Sequence, residues 1–135
     1  MVMKKFLMLM IAGVLSVMFL GCGPVSVQNF NNMSVEDVVN KNASTVEVEK
    51  AIIRAGTGLG WVMKKMNDGN IQGTLTIRKH EAVVAIKYNA KEYSINYVDS
   101  KNLDYNPGEN TIHSNYNGWI QNLNKSIRVQ LSTLE

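Results

Sequence analysis

Between Thr111 and Leu134 the apolar residues Ile112, Tyr116, Trp119, Ile120, Leu123, Ile127, Leu131 and Leu134 recur mostly three or four positions apart. At about 100° per residue they fill an arc of roughly 120°, leaving Asn115, Asn122, Lys125 and Arg128 outside it. A helix with one such stripe gains its stability by covering the stripe, so an apolar surface of matching size must lie against it. Lys125 and Arg128 fall in its C-terminal half, where positive charge suits the helix dipole. A second, shorter stripe is formed by Val48, Ala51, Ile52, Ala55 and Leu59, with Glu47 and Arg54 facing away. It opens on the capping box Ser44-Thr-Val-Glu47 and ends in the glycines of Gly56-Thr-Gly-Leu-Gly60.

The covering surface comes from the chain between the two helices. Trp61–Asn67 leads into Asp68-Gly69, a two-residue hairpin signal because both positions tolerate positive φ. Ile71–Lys79 alternates, with Ile71, Gly73, Leu75 and Ile77 on one face and Gln72, Thr74, Thr76 and Arg78 on the other. A turn near His80-Glu81 leads to Ala82–Tyr88, and Asn89-Ala-Lys91 leads to Glu92–Val98, where Tyr93, Ile95 and Tyr97 share a side. Short links between strands favour an antiparallel meander. The predicted fold is therefore α+β, a two-layer sandwich of order α-β-β-β-β-α over residues 44–135. It has a four-stranded meander with both helices on one face. Asp99–Asn110 is a loop carrying a Pro107-Gly108 turn signal.

Residues 1–21 have the shape of a leader, with Lys4 and Lys5 followed by an uncharged apolar stretch from Phe6 to Leu20. As a helix that stretch would span about 22 Å, short of the ~30 Å hydrocarbon core. It ends in Phe19-Leu20-Gly21-Cys22, which resembles the lipobox of bacterial lipoproteins. The resemblance implies cleavage before Cys22, a diacylglyceryl group on its thiol and an acyl group on its freed amine. Two or three chains of this kind anchor a protein durably, where one does so only marginally. Gly23 stands where inner-membrane retention usually shows Asp, so the resemblance implies the outer membrane, at the inner leaflet facing the periplasm. Residues 22–43 are expected to be a lipidated N-terminus and flexible tether, since Gly23–Asn42 holds Pro24, five asparagines and few large apolar residues. Ser34-Val-Glu-Asp37 is a capping box able to start one or two helical turns through Val39.

Charge and cysteine content narrow the function classes. The formal net charge of +3 includes the two leader lysines, and without them 12 basic residues face 11 acidic ones, which removes the electrostatic case for nucleic acid. One cysteine permits no internal disulfide and no Cys/His zinc cluster, and as a thioether it is no catalytic thiol. The glycine run follows a helix instead of a strand and lacks Gly-Lys-Ser/Thr, so it reads as a helix stop and not as a phosphate loop. No cofactor or metal is implied. His80 and His113 are the only histidines, and neither has carboxylates at a diagnostic spacing.

The densest group of distinctive residues is Ser100-Lys-Asn-Leu-Asp-Tyr105 followed by Ile112-His-x-x-Tyr-Asn-x-Trp-Ile120. These S-x-N-L-x-Y and I-H-x-x-Y-N-x-W-I patterns resemble a group of small proteobacterial envelope lipoproteins of unassigned function, over about Ala51 to Leu131. Asn102, Tyr105, His113, Tyr116 and Asn117 would meet where the loop joins the helix. There they form a pocket for a ligand or partner, or they cap the helix and pin the loop with Tyr116 and Trp119 in the core. The sequence thus predicts a lipid-anchored envelope module that binds a protein or small ligand without catalysis. The rival is a small periplasmic hydrolase built on His113 with Ser100 or Ser114 and Asp104.

Overall fold

The computed structural model describes residues 23–135, so the leader and the lipidation assigned to Cys22 lie outside the described residues. Along the chain run β1 (Val25–Ser26), β2 (Phe30–Ser34), α1 (Thr45–Gly58), β3 (Val62–Asn67), β4 (Asn70–Ile77) and β5 (His80–Tyr88). Then come β6 (Glu92–Lys101), β7 (Thr111–Ile112) and α2 (Ser114–Ser132). The fold is α+β, with a five-stranded antiparallel sheet of order β2-β6-β5-β4-β3 and a separate β1-β7 pair.

Strands β3 to β6 follow one another as the meander, but the sheet has a fifth strand that the sequence reading lacked. That strand, β2, comes from the stretch read as tether. The apolar residues in and around it do not alternate: Val27, Phe30 and Met33 are three apart and Val35 follows two later, and the register with β6 slips between Phe30 and Met33. Asn32 takes up the irregularity at φ +53, a conformation asparagine tolerates better than most residues, and its N–H donates to Ser94 Oγ at 3.0 Å. Val35 is fully buried just past the strand. The Ser34 box closes one turn only, with Ser34 Oγ accepting from Asp37 N–H at 3.3 Å. Short β2 at one edge and the exposed lysines Lys64 and Lys65 of β3 at the other discourage pairing with a further strand.

Register puts the apolar rows on one side of the sheet. Ile71 lies across from Ile86, Ile86 from Ile95, Leu75 from Ala82, and Tyr88 from Tyr93. From that side the Tyr88 hydroxyl reaches Glu49 of α1, and the Tyr93 hydroxyl donates to Asn124 Oδ1 of α2 at 2.6 Å, so both helices cover the same face. Most of the predicted stripes is buried: Val48, Ala51, Ile52 and Ala55 from α1, and Tyr116, Ile120, Leu123, Ile127 and Leu131 from α2. Leu59, which caps α1 beyond its last turn, and Ile77, at the end of β4, are exposed. Trp119 and Leu134 are half-buried at the margin of the stripe.

Ser44 caps α1 as its box requires, accepting from Glu47 N–H at 3.1 Å. The glycine run does two separate jobs. A Cβ on Gly56 would run into the Met63 side chain, so this residue lets α1 approach β3, and Gly60 turns the chain at φ +90. α2 starts three residues later than its stripe implied. Thr111 and Ile112 pair with Ser26 and Val25 in the β7–β1 ladder, and His113 serves as N-cap.

Candidate functional site

The loop that follows β6 and the first turn of α2 hold all five residues singled out by the sequence, and the geometry sends them to different tasks. Asn102, at φ +57, donates from Nδ2 to the Lys79 carbonyl at 2.6 Å and receives His80 Nδ1 on its own carbonyl at 2.7 Å. It therefore ties the β4–β5 turn to the loop. The His113 N–H donates to Leu103 O at 2.8 Å, and His113 Nδ1 accepts from Asn115 N–H at 3.1 Å. A ring whose Nδ1 accepts carries its proton on Nε2, which leaves neither nitrogen free as a base. Ser100 shares its hydroxyl with Tyr97 Oη at 2.7 Å, and among the described residues no hydrogen bond joins His113 to Ser100, Ser114 or Asp104. Asn117 clamps the start of the described chain to α2: Oδ1 accepts from Gln28 N–H at 3.0 Å and Nδ2 donates to Ser26 O at 2.9 Å.

Tyr105 and Tyr116 come together only through Tyr97. The Tyr97 ring stacks on Tyr105 at a centroid distance of 4.3 Å and meets Tyr116 edge-on at 5.5 Å. Tyr97 itself was missed as a member of this group. Its place in the Tyr93-Ile95-Tyr97 alternation was legible, but its partners depend on a bulge. Val83 pairs with Asp99 and Val84 with Tyr97, which leaves Val98 unopposed and returns Ser100 to the helix side. The Tyr116 hydroxyl is buried without a hydrogen-bond partner, and burial, with Tyr97 adding to it, pushes its ionisation well above the ordinary tyrosine range. Burial also raises Tyr97, while Ser100 acts in the opposite sense.

Comparison with known protein families, with curated proteins and with solved structures finds no match for this chain. The site must then be judged on its own chemistry. Among the described residues no three His, Cys, Asp or Glu side chains converge as metal ligands, and no helix is long and apolar enough to cross a membrane. Glu49, Tyr88 and Lys65 form a linked polar group away from the loop. Tyr88 donates to Glu49, with Lys65 Nζ 3.2 Å from the same carboxylate. Those partners hold Glu49 below the usual carboxylate range, and burial together with Glu49 pushes Tyr88 up to about 12. The trio fastens α1 to β3 and β5. A groove of about 180 Å³ is lined by Leu59, Trp61, Leu75, Ile77, Trp119 and Asn122.

Proposed function

We propose that the chain is a lipoprotein of the bacterial envelope, held at the inner leaflet of the outer membrane by acyl chains on Cys22, and that it acts by binding and not by catalysis. The observation that carries the reading is the position of the chain's single cysteine directly behind Phe19-Leu20-Gly21. The working end of the domain is the one that holds Asn102, Tyr105, His113, Tyr116 and Asn117. A hydrogen-bonded scaffold with its imidazoles committed to backbone groups suits a rigid contact surface better than proton transfer. Growth of the native host with an alkyne-tagged fatty acid tests the anchor. The wild-type chain is expected to take up label and fractionate with outer membrane, and Cys22→Ser to lose both. An unlabelled wild-type chain with a free thiol refutes the proposal.

A further inference from the structure

Only Gly23 and Pro24 stand between Cys22 and β1, and β1 is fixed on both sides. Val25 pairs with Ile112, Ser26 pairs with Thr111, and Asn117 holds Ser26 and Gln28. Three Cα steps of about 3.8 Å keep Cys22 within roughly 11 Å of Val25. Pro24, with its φ locked, leaves little slack. Acyl chains on Cys22 therefore bring lipid headgroups to whatever surface surrounds Val25.

Hydrogen bonds identify that surface. Ile112 and His113 adjoin Leu103 through the His113 N–H, and Asn102 adjoins Lys79 and His80. The β4–β5 turn at Arg78-Lys79, the loop from Asn102 to Asn110 and the first turn of α2 thus share one end of the domain. The opposite end follows from the way β6 and α2 run past each other. Tyr97 touches Tyr116 and Tyr93 touches Asn124, four strand residues (about 13 Å) against eight helical ones (about 12 Å). The β5–β6 turn at Asn89–Lys91 consequently lies near the C-terminal half of α2, whose 19 residues span about 28 Å.

We propose, on the footing of the lipoprotein reading, that the domain sits on the phospholipid surface with the loop-and-α2 end down. Arg78, Lys79, Tyr105 and Asn115 then lie in the headgroup layer, and the β5–β6 turn points into the periplasm. Tyr105 is 37% exposed, and its amphipathic ring fits the interface between apolar and wet surroundings. Asp104 and Glu109 balance Arg78 and Lys79, so the anchor and not anionic lipid supplies the attraction, and docking persists on zwitterionic vesicles.

The acylated full chain in phosphatidylcholine vesicles tests this, because lipid occupies the native thiol and leaves an introduced cysteine as the only labelling site. Lys79→Cys, Asn115→Cys and Lys91→Cys, all at exposed positions, are each coupled to a fluorophore and exposed to headgroup-spin-labelled lipid. Quenching at 79 and 115 is expected to be several-fold that at 91, with unchanged melting temperatures. Equal quenching at the three sites, or the strongest at 91, on a chain whose intact mass carries the acyl groups overturns the docking alone. An intact mass without acyl groups overturns the lipoprotein reading, and the docking with it.

Discussion

Tyr116→Phe should make this protein more stable. The Tyr116 side chain is fully buried between the sheet and α2, and its hydroxyl has no hydrogen-bond partner. Such a group loses its hydration on folding and recovers nothing, a cost of about 1–3 kcal/mol. Phenylalanine keeps the ring, its edge-on contact with Tyr97 and nearly all of the packing, and leaves a void of one oxygen atom. Allowing a few tenths of a kcal/mol for lost contacts, the net gain is about 1 kcal/mol, or about 4 °C in Tm for a domain near this size. Tyr93→Phe supplies the opposite sign from the same chemical change. Its hydroxyl donates to Asn124 Oδ1 at 2.6 Å, so removal strands a half-buried amide oxygen and costs about 1 kcal/mol. Urea unfolding followed by circular dichroism measures both, with unchanged m-values showing that the transition is the same one. Loss of stability in Tyr116→Phe would refute the reasoning, since it would mean the hydroxyl is satisfied.

Asn117→Ala removes two hydrogen bonds to the backbone at Ser26 and Gln28. It should cost about 1–2 kcal/mol and speed amide exchange at Gln28 well before the sheet, as read by hydrogen exchange. Leu123→Ala hollows the centre of the α2 stripe and should cost about 2–5 kcal/mol in urea unfolding. The Tyr88 hydrogen bond and Lys65 lower the folded pKa of Glu49 from its ordinary 4.5, so that contribution is present above that value and lost as pH falls through the carboxylate range. Glu49→Gln should flatten the acid limb of the stability profile. Tyr88 is raised from 10.0 to about 12, so its contribution is full below pH 10 and lost as pH climbs to about 12. Tyr88→Phe should remove this part of the alkaline limb, and a limb that keeps its shape would contradict the assignment.

What the sequence made legible was periodic. The stripes of α1 and α2 and the alternation in β4 and β6 carry their partners' geometry in the spacing of large apolar residues, and one-sided elements must stack. β2 escaped because Asn32 interrupts the alternation that would announce a strand. Ile112 misled in the other direction, since its position fits the α2 stripe while its backbone pairs with Val25. The candidate cluster was legible as a neighbourhood but not as an arrangement. Asn102, Asp104 and Asn110 all sit at positive φ, so the chain between β6 and β7 changes direction at points that periodicity does not encode. The sixteen asparagines are scattered along the chain without a period. In the structure several act as hinges and clamps: Asn29 accepts the Tyr97 N–H, Asn89 accepts the N–H groups of Lys91 and Glu92, and Asn106 accepts those of Gly108 and Glu109.

The two-residue ladder between β1 and β7 also determines how the protein bears load. Tension applied at Gly23 meets Val25, Ser26 and the Asn117 amide before it reaches β2 and the five-stranded sheet. These few bonds rupture first, and each residue peeled away adds about 3.5 Å of slack. A pull at this end should therefore lengthen the N-terminal segment while the core stays intact, and the segment should pair again with β7 when the force is released.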